Sequence, residues 1–165
     1  MKTIKFIAAC ALWISASASF GHENMPHHGA VAAAHKEQTA WGIAGDETAV
    51  RRTVTVRMTD DMRFAPRHIE VHEGDTVRLR AENTGQVLHE IVLGTKAEID
   101  QHAQTMARSP GMKHQAAHMV HVRPGERGDI VWRFNRPGSF AFACLIPGHY
   151  EAGMSGTITV LPHRR

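Results

Sequence analysis

From Val50 onward, apolar residues fall at every second position in short runs. Val54, Val56 and Met58 alternate with polar residues, as do Ile69 and Val71, and then Val77 and Leu79. The same period runs through Val87, His89, Ile91 and Leu93, through Ile130, Trp132 and Phe134, and through Phe140, Phe142 and Cys144. A last run covers Thr157 to Val160. Successive side chains of a strand point to opposite faces, so each run predicts a strand with one buried face. Turn signals separate the runs: His72-Glu-Gly-Asp75, Asn83-Thr-Gly85, Arg123-Pro-Gly-Glu126 and Asn135-Arg-Pro-Gly138. Short strands at this spacing predict an all-β domain, a Greek-key β-sandwich or barrel.

One stretch breaks the period. Thr95 to about Ser109 does not alternate, and Ile99, Ala103 and Met106 lie at helical spacing. This predicts a short helix, closed by Pro110-Gly111, inserted before the later strands. The insertion continues to about residue 121 and is dense in His and Met.

The N-terminal third reads differently. Lys2 and Lys5, an apolar run from Ile7 to Ile14, and Ala16-Ser17-Ala18 form the pattern of a secretory signal peptide over residues 1–18. That apolar run is too short to span a membrane, so no stable membrane anchor is expected. Residues 19–48 have no clear period and read as a flexible His/Met-rich arm, leaving residues 49–165 as the folded domain. Export implies a periplasmic protein. Loss of Lys2 and Lys5 takes the formal net charge of +3 to about +1. A charge this small, with no basic stripe, excludes a nucleic-acid binder.

Cys10 lies in the signal segment, so the mature chain keeps one cysteine, Cys144, and no internal disulfide can form. Alone, it would be a buried thiol acting as a small hydrophobe. However, His149 and Met154 follow on the same short loop, and His89 sits on the buried face of its run. The alternation also turns Cys144 inward, beside Phe140 and Phe142. A lone inward histidine is ordinarily satisfied by backbone; here the other three donors favour a metal. Structural zinc prefers four Cys or His donors, which this set does not offer. Two imidazoles, a thiolate and a weak axial thioether suit both Cu(I) and Cu(II), so His89, Cys144, His149 and Met154 are the expected type 1 copper ligands. Leu145, Ile146 and Pro147 are expected to form an apolar rim around His149, where a redox protein partner could dock.

These residues resemble the cupredoxins. The likeness covers roughly Thr53 to Leu161 and rests on several motifs: Met62-Arg-Phe64-Ala-Pro66, Gly74-Asp-Thr-Val77, Asn83-Thr-Gly85 with His89, and Phe142-Ala-Cys144 through Met154 to Gly156-Thr-Ile158. The family's upstream His corresponds to His89, its Cys to Cys144, its downstream His to His149 and its Met to Met154. The segment from Thr95 to His121 departs from the small electron carriers. With the arm, it is more similar to the periplasmic cupredoxins of bacterial copper tolerance.

The chain holds 13 His, of which this site takes two, so accessory copper sites are a further expectation. Candidates are His22, Met25, His27 and His28 in the arm, and Met106, Met112, His114, His118, Met119 and His121 in the insertion. Each has a plainer alternative. Met106 can pack under the helix, His121 can be an ordinary strand residue, and His114 and His118 share a face only if helical. The function expected is capture and redox cycling of copper in the service of copper tolerance. The alternative is a soluble electron shuttle between respiratory partners. Catalysis is not expected, because the chain has no His-x-His pairs of the kind that build catalytic copper clusters.

Overall fold

The computed structural model describes residues 36–109 and 115–164. In chain order the strands are β1 (Gln38–Thr39), β2 (Gly42–Ala44), β3 (Arg52–Thr59), β4 (Arg63–Ala65), β5 (His68–His72), β6 (Thr76–Asn83) and β7 (His89–Gly94). Helix α1 (Lys96–Arg108) follows, then β8 (Met119–Val122), β9 (Arg127–Arg133), β10 (Gly138–Ala143) and β11 (Ser155–Leu161). They form two sheets, one ordered β1-β2-β9-β6-β3-β4 and the other β5-β11-β10-β7-β8. The β3/β6 and β5/β11 pairs are parallel and the rest antiparallel.

Period-2 patterning sets the register. Val54 of β3 lies opposite Leu79 of β6, and Leu79 opposite Ile130 of β9. Ile69 of β5 meets Ile158 of β11 in the other sheet. A one-residue slip would turn each buried row to solvent, so the burial itself specifies the pairing. Both inner faces join in one core, with Val56, Leu79 and Trp132 from one sheet and Ile91, Phe142 and Ile158 from the other.

β7 is buried along its whole length because both of its faces are covered. His89, Ile91 and Leu93 face the sandwich. Val92 faces a second core that Ile99 and Met106 of α1 close over Met119, Ala143 and Leu145. The helix begins with a reciprocal cap. The Thr95 hydroxyl accepts the Glu98 amide hydrogen, and the Glu98 carboxylate accepts the Thr95 amide hydrogen at 2.7 Å. Such caps contribute about 1 kcal/mol.

Two boundaries differ from expectation. Residues 38–44, placed in the arm by their lack of period, form β1 and β2 and extend the larger sheet. Trp41 is the reason. It is 3% exposed, stacks on Trp132 at 4.4 Å between ring centroids, and donates its indole N–H to Glu98 at 3.0 Å. A single large aromatic among small and polar residues produces no periodic signal. Residues 119–121, placed at the end of the insertion, belong with Val122 to β8, which pairs with β7 so that Val122 lies opposite His89. His22, Met25, His27, His28, Met112 and His114 lie outside the described residues.

Trp41→Ala is expected to lower the unfolding free energy by about 3–5 kcal/mol, the usual cost of deleting a buried large aromatic. Urea denaturation checks this; a variant as stable as the parent would mean that the segment contributes nothing to the domain.

Candidate metal centre

The site lies where β7 begins and β10 ends. Asn83, the last residue of β6, fixes the approach to His89. Its amide donates to the carbonyls of Val87 at 2.8 Å and Val122 at 2.9 Å, and its side-chain oxygen accepts the Gly85 amide hydrogen. Asp60, in the turn between β3 and β4, accepts the Gln86 amide hydrogen at 2.7 Å and lies 3.3 Å from His89 Nε2. Those contacts hold the Asp60 carboxyl below its usual range, the Gln86 amide contributing most. With Nε2 turned to a carboxylate, the proton resides there and Nδ1 carries the free lone pair. Nδ1 is buried and has no hydrogen-bond partner. Left so, it would cost about 1–3 kcal/mol, which a metal ion would offset.

Cys144 follows the last residue of β10 and is fully buried. Its Sγ lies 3.3 Å from His149 Nδ1 and receives hydrogen bonds from the amides of Glu90 and Ile146. Burial pushes the thiol up to about 12, against an ordinary 9.0, despite those two amides. A proton therefore stays on sulfur at any physiological pH unless a cation replaces it. Burial, and then the neighbouring His89, push the His149 imidazole below 6.5, so it is neutral and able to donate a lone pair. The two imidazole rings lie 5.0 Å apart between centroids.

The loop from Cys144 to Met154 is held by its own backbone. The Cys144 amide donates to the Met154 carbonyl at 3.1 Å, the Met154 amide to the His149 carbonyl at 3.0 Å, and the His149 amide to the Ile146 carbonyl at 2.9 Å. Gly148 and Gly153 take positive φ, +89° and +93°, at the two bends. Only glycine enters that region without strain. The closure brings Met154, fully buried, into the same core as Cys144.

Among the described residues, His89, Cys144 and His149 form the one cluster of three or more histidine, thiol or carboxylate groups whose ligand atoms all lie within 4.8 Å. This donor set, with an orphaned imidazole nitrogen and a thiol that burial keeps protonated, fits a soft transition metal. The other candidates fall elsewhere. Met106 and Met119 are buried in the core beneath α1. His121 pairs with Glu90 at 2.7 Å, and His118 packs edge-on against Trp41 at 5.3 Å.

The expected rim needs correction. Leu145 is 2% exposed and faces the second core, because it follows Cys144 and points to the opposite side of the sheet. Ile146 is half-buried and Pro147 exposed. Val87 and Leu88, each 42% exposed, lie just before His89; Val87 does not share its face, since the strand starts only at His89. Pattern reading also missed Asp60, Asn83 and Glu90. A carboxylate inside an otherwise apolar run was the available signal for Glu90.

Known proteins resemble the chain along most of its length. The profile described as copper binding proteins, plastocyanin/azurin family, matches residues 50–161. A copper-resistant cuproprotein CopI from Rubrivivax gelatinosus is 49% identical over 146 residues, covering 88% of each chain. A CopI from Pseudomonas aeruginosa is 33% identical over 152 residues, covering 74% of this chain and 83% of its own. Among solved structures, auracyanin B superposes with a TM-score of 0.60 at 25% identity, over 76% of this chain and 97% of its own.

Because the Cys144 thiol holds its proton up to about 12, loading copper near neutral pH is expected to release about one proton per metal bound there. Affinity should rise about tenfold per pH unit, with a second competing proton, at His149, only below the ordinary imidazole range. Proton release followed with an indicator dye, compared with Cys144→Ala, checks this. Equal release from both proteins would contradict it.

Proposed function

The chain belongs to the plastocyanin/azurin family of copper-binding proteins, and from that premise we propose that it is an exported type 1 copper protein serving copper tolerance. One observation carries the reading: His89, Cys144 and His149 offer ligand atoms that all lie within 4.8 Å of one another, and His89 Nδ1 is buried without a hydrogen-bond partner. The ligands proposed are these three side chains and the Met154 thioether. Copper bound there supplies a one-electron couple between Cu(I) and Cu(II).

The chain's own residues do the rest. Asp60 fixes the His89 tautomer, and Asn83 fixes the loop that carries it. Backbone bonds within the Cys144–Met154 loop hold the thiolate, the second imidazole and the thioether together. Apolar walls from both sheets exclude water from His89, Cys144 and Met154, each fully buried. Donors held this firmly change little between oxidation states, so the site exchanges electrons with little rearrangement.

Copper tolerance is favoured by the two relatives named copper-resistant cuproproteins, one of them 49% identical. Residues 1–18, read as a signal peptide, would place the protein in the periplasm. Among the described residues, no helix is long and apolar enough to cross a membrane. The His/Met-rich arm, with Met112 and His114, would add copper-holding capacity. The protein is read as a carrier of copper and electrons, not as an enzyme.

The second reading is an electron shuttle. It is favoured by the partial exposure of His149 beside exposed Pro147, with Val87 and Leu88 exposed before His89. In that reading the arm is dispensable, and loss of the protein impairs a respiratory pathway even at low copper.

Deleting the gene is expected to lower growth at high copper, with the parent gene restoring it and Cys144→Ser failing to do so. Unchanged growth of the deletion strain at high copper would exclude the tolerance reading. For the purified protein, an intense thiolate-to-copper band in the visible spectrum, absent from Cys144→Ala, tests the ligand assignment. No such band in the parent protein would refute it.

A further inference from the structure

Among the described residues, Glu90 is the one buried carboxylate. It follows His89 on β7 and faces away from it, toward the second core. Its Oε1 accepts the Leu145 amide hydrogen at 2.8 Å. Its Oε2 lies 2.7 Å from Nε2 of His121, directly opposite on β8. The β7/β10 ladder runs through Phe142–Leu93 and Ala143–Val92 and then stops, since β10 ends at Ala143. Past that point the Glu90 side chain takes the place of a strand partner for Leu145. Its own amide donates to Cys144 Sγ. Residue 90 therefore grips the Cys144-Leu145 unit twice, by side chain and by backbone. An isolated carboxylate is expensive to bury, and the His121 imidazole is the side chain that faces it across the strand pair.

We propose that Glu90, paired with His121, is a positioning residue for the copper thiolate: its carboxylate fixes the Leu145 amide and thereby sets where the Cys144 sulfur meets the metal. The proposal rests on the type 1 reading of His89, Cys144 and His149. Outer partners of metal ligands typically change metal affinity by about 10- to 100-fold when removed.

The test uses the full mature chain and copper alone, read through the thiolate-to-copper band, which copper bound elsewhere does not produce. Glu90→Ala is expected to shift and weaken that band and to lower affinity at this site by about 10- to 100-fold in competition with a chelator. Glu90→Gln keeps an oxygen for the Leu145 amide and should recover most of both. His121→Ala, at a half-exposed position that folding tolerates, should shift the band in the same direction as Glu90→Ala. Ile99→Ala opens a cavity in the same second core, beside Leu145, but removes no hydrogen bond to the loop; it should lower Tm and leave the band unchanged. A Glu90→Ala protein with the parent's band and affinity, differing only in Tm, would overturn the proposal. Should Glu90→Ala fail to fold, an unshifted band in His121→Ala would overturn it equally. No band in the parent protein would refute the type 1 reading instead.

Discussion

The structure depends on burying a thiol that burial keeps protonated beside an imidazole nitrogen that none of the described residues satisfies. Cys144 and His89 are both fully buried, the thiol is pushed up to about 12, and His89 Nδ1 has no partner. In the metal-free protein these groups are a cost, since low dielectric disfavours both the thiolate and an unpaired polar atom. A soft cation reverses the sign of each contribution, because it replaces the sulfur proton and takes the nitrogen lone pair. The fold thus holds a site whose arrangement is favourable only with its metal.

Rigidity around that point comes from polar residues, each with a defined task. Asn83 ties the His89 loop to β8, Asp60 commits one imidazole nitrogen, and the Cys144–Met154 loop closes on its own backbone. The β7/β10 ladder stops at Ala143, and the turns holding Asp60 and Gly85 lie outside the strands, so side chains and loop carbonyls take over its role. The arrangement is anchored from behind as well. β7 belongs to both cores, and α1 seals the second one through Ile99 and Met106. The helix is thus placed to stiffen the strand that begins with His89. It also contacts the loop directly, since the Tyr150 hydroxyl donates to Asp100 at 2.7 Å, one residue after His149.

The same chemistry separates the histidines by role. His89 and His149 meet at the site, whereas His121 faces Glu90 and His118 lies against the Trp41 edge. Identical side chains differ in role according to what faces them: a proposed metal donor, a neighbour of a buried carboxylate and a packing surface. A histidine count alone is therefore a poor measure of copper capacity within residues 36–109 and 115–164.

What the sequence by itself determined was whatever is local or periodic. Alternation placed Val54 to Met58, Val77 to Leu79, Ile130 to Phe134 and Phe140 to Cys144 on strands with the correct face inward, because side-chain direction in a strand has a period of two. Helical spacing of Ile99, Ala103 and Met106 located α1. Cys144, His149 and Met154 were legible as a group because they share one loop, and His89 because its run put an imidazole on an apolar face. Tertiary structure alone decided the rest. Trp41 joins the core through a stacking partner 91 residues away, which no local pattern encodes. Leu145 left the expected rim because the second core claimed its side of the sheet. Asp60, Asn83 and Glu90 acquired their roles only when distant turns and strands were brought together, since a hydrogen bond between remote residues leaves no period in the chain.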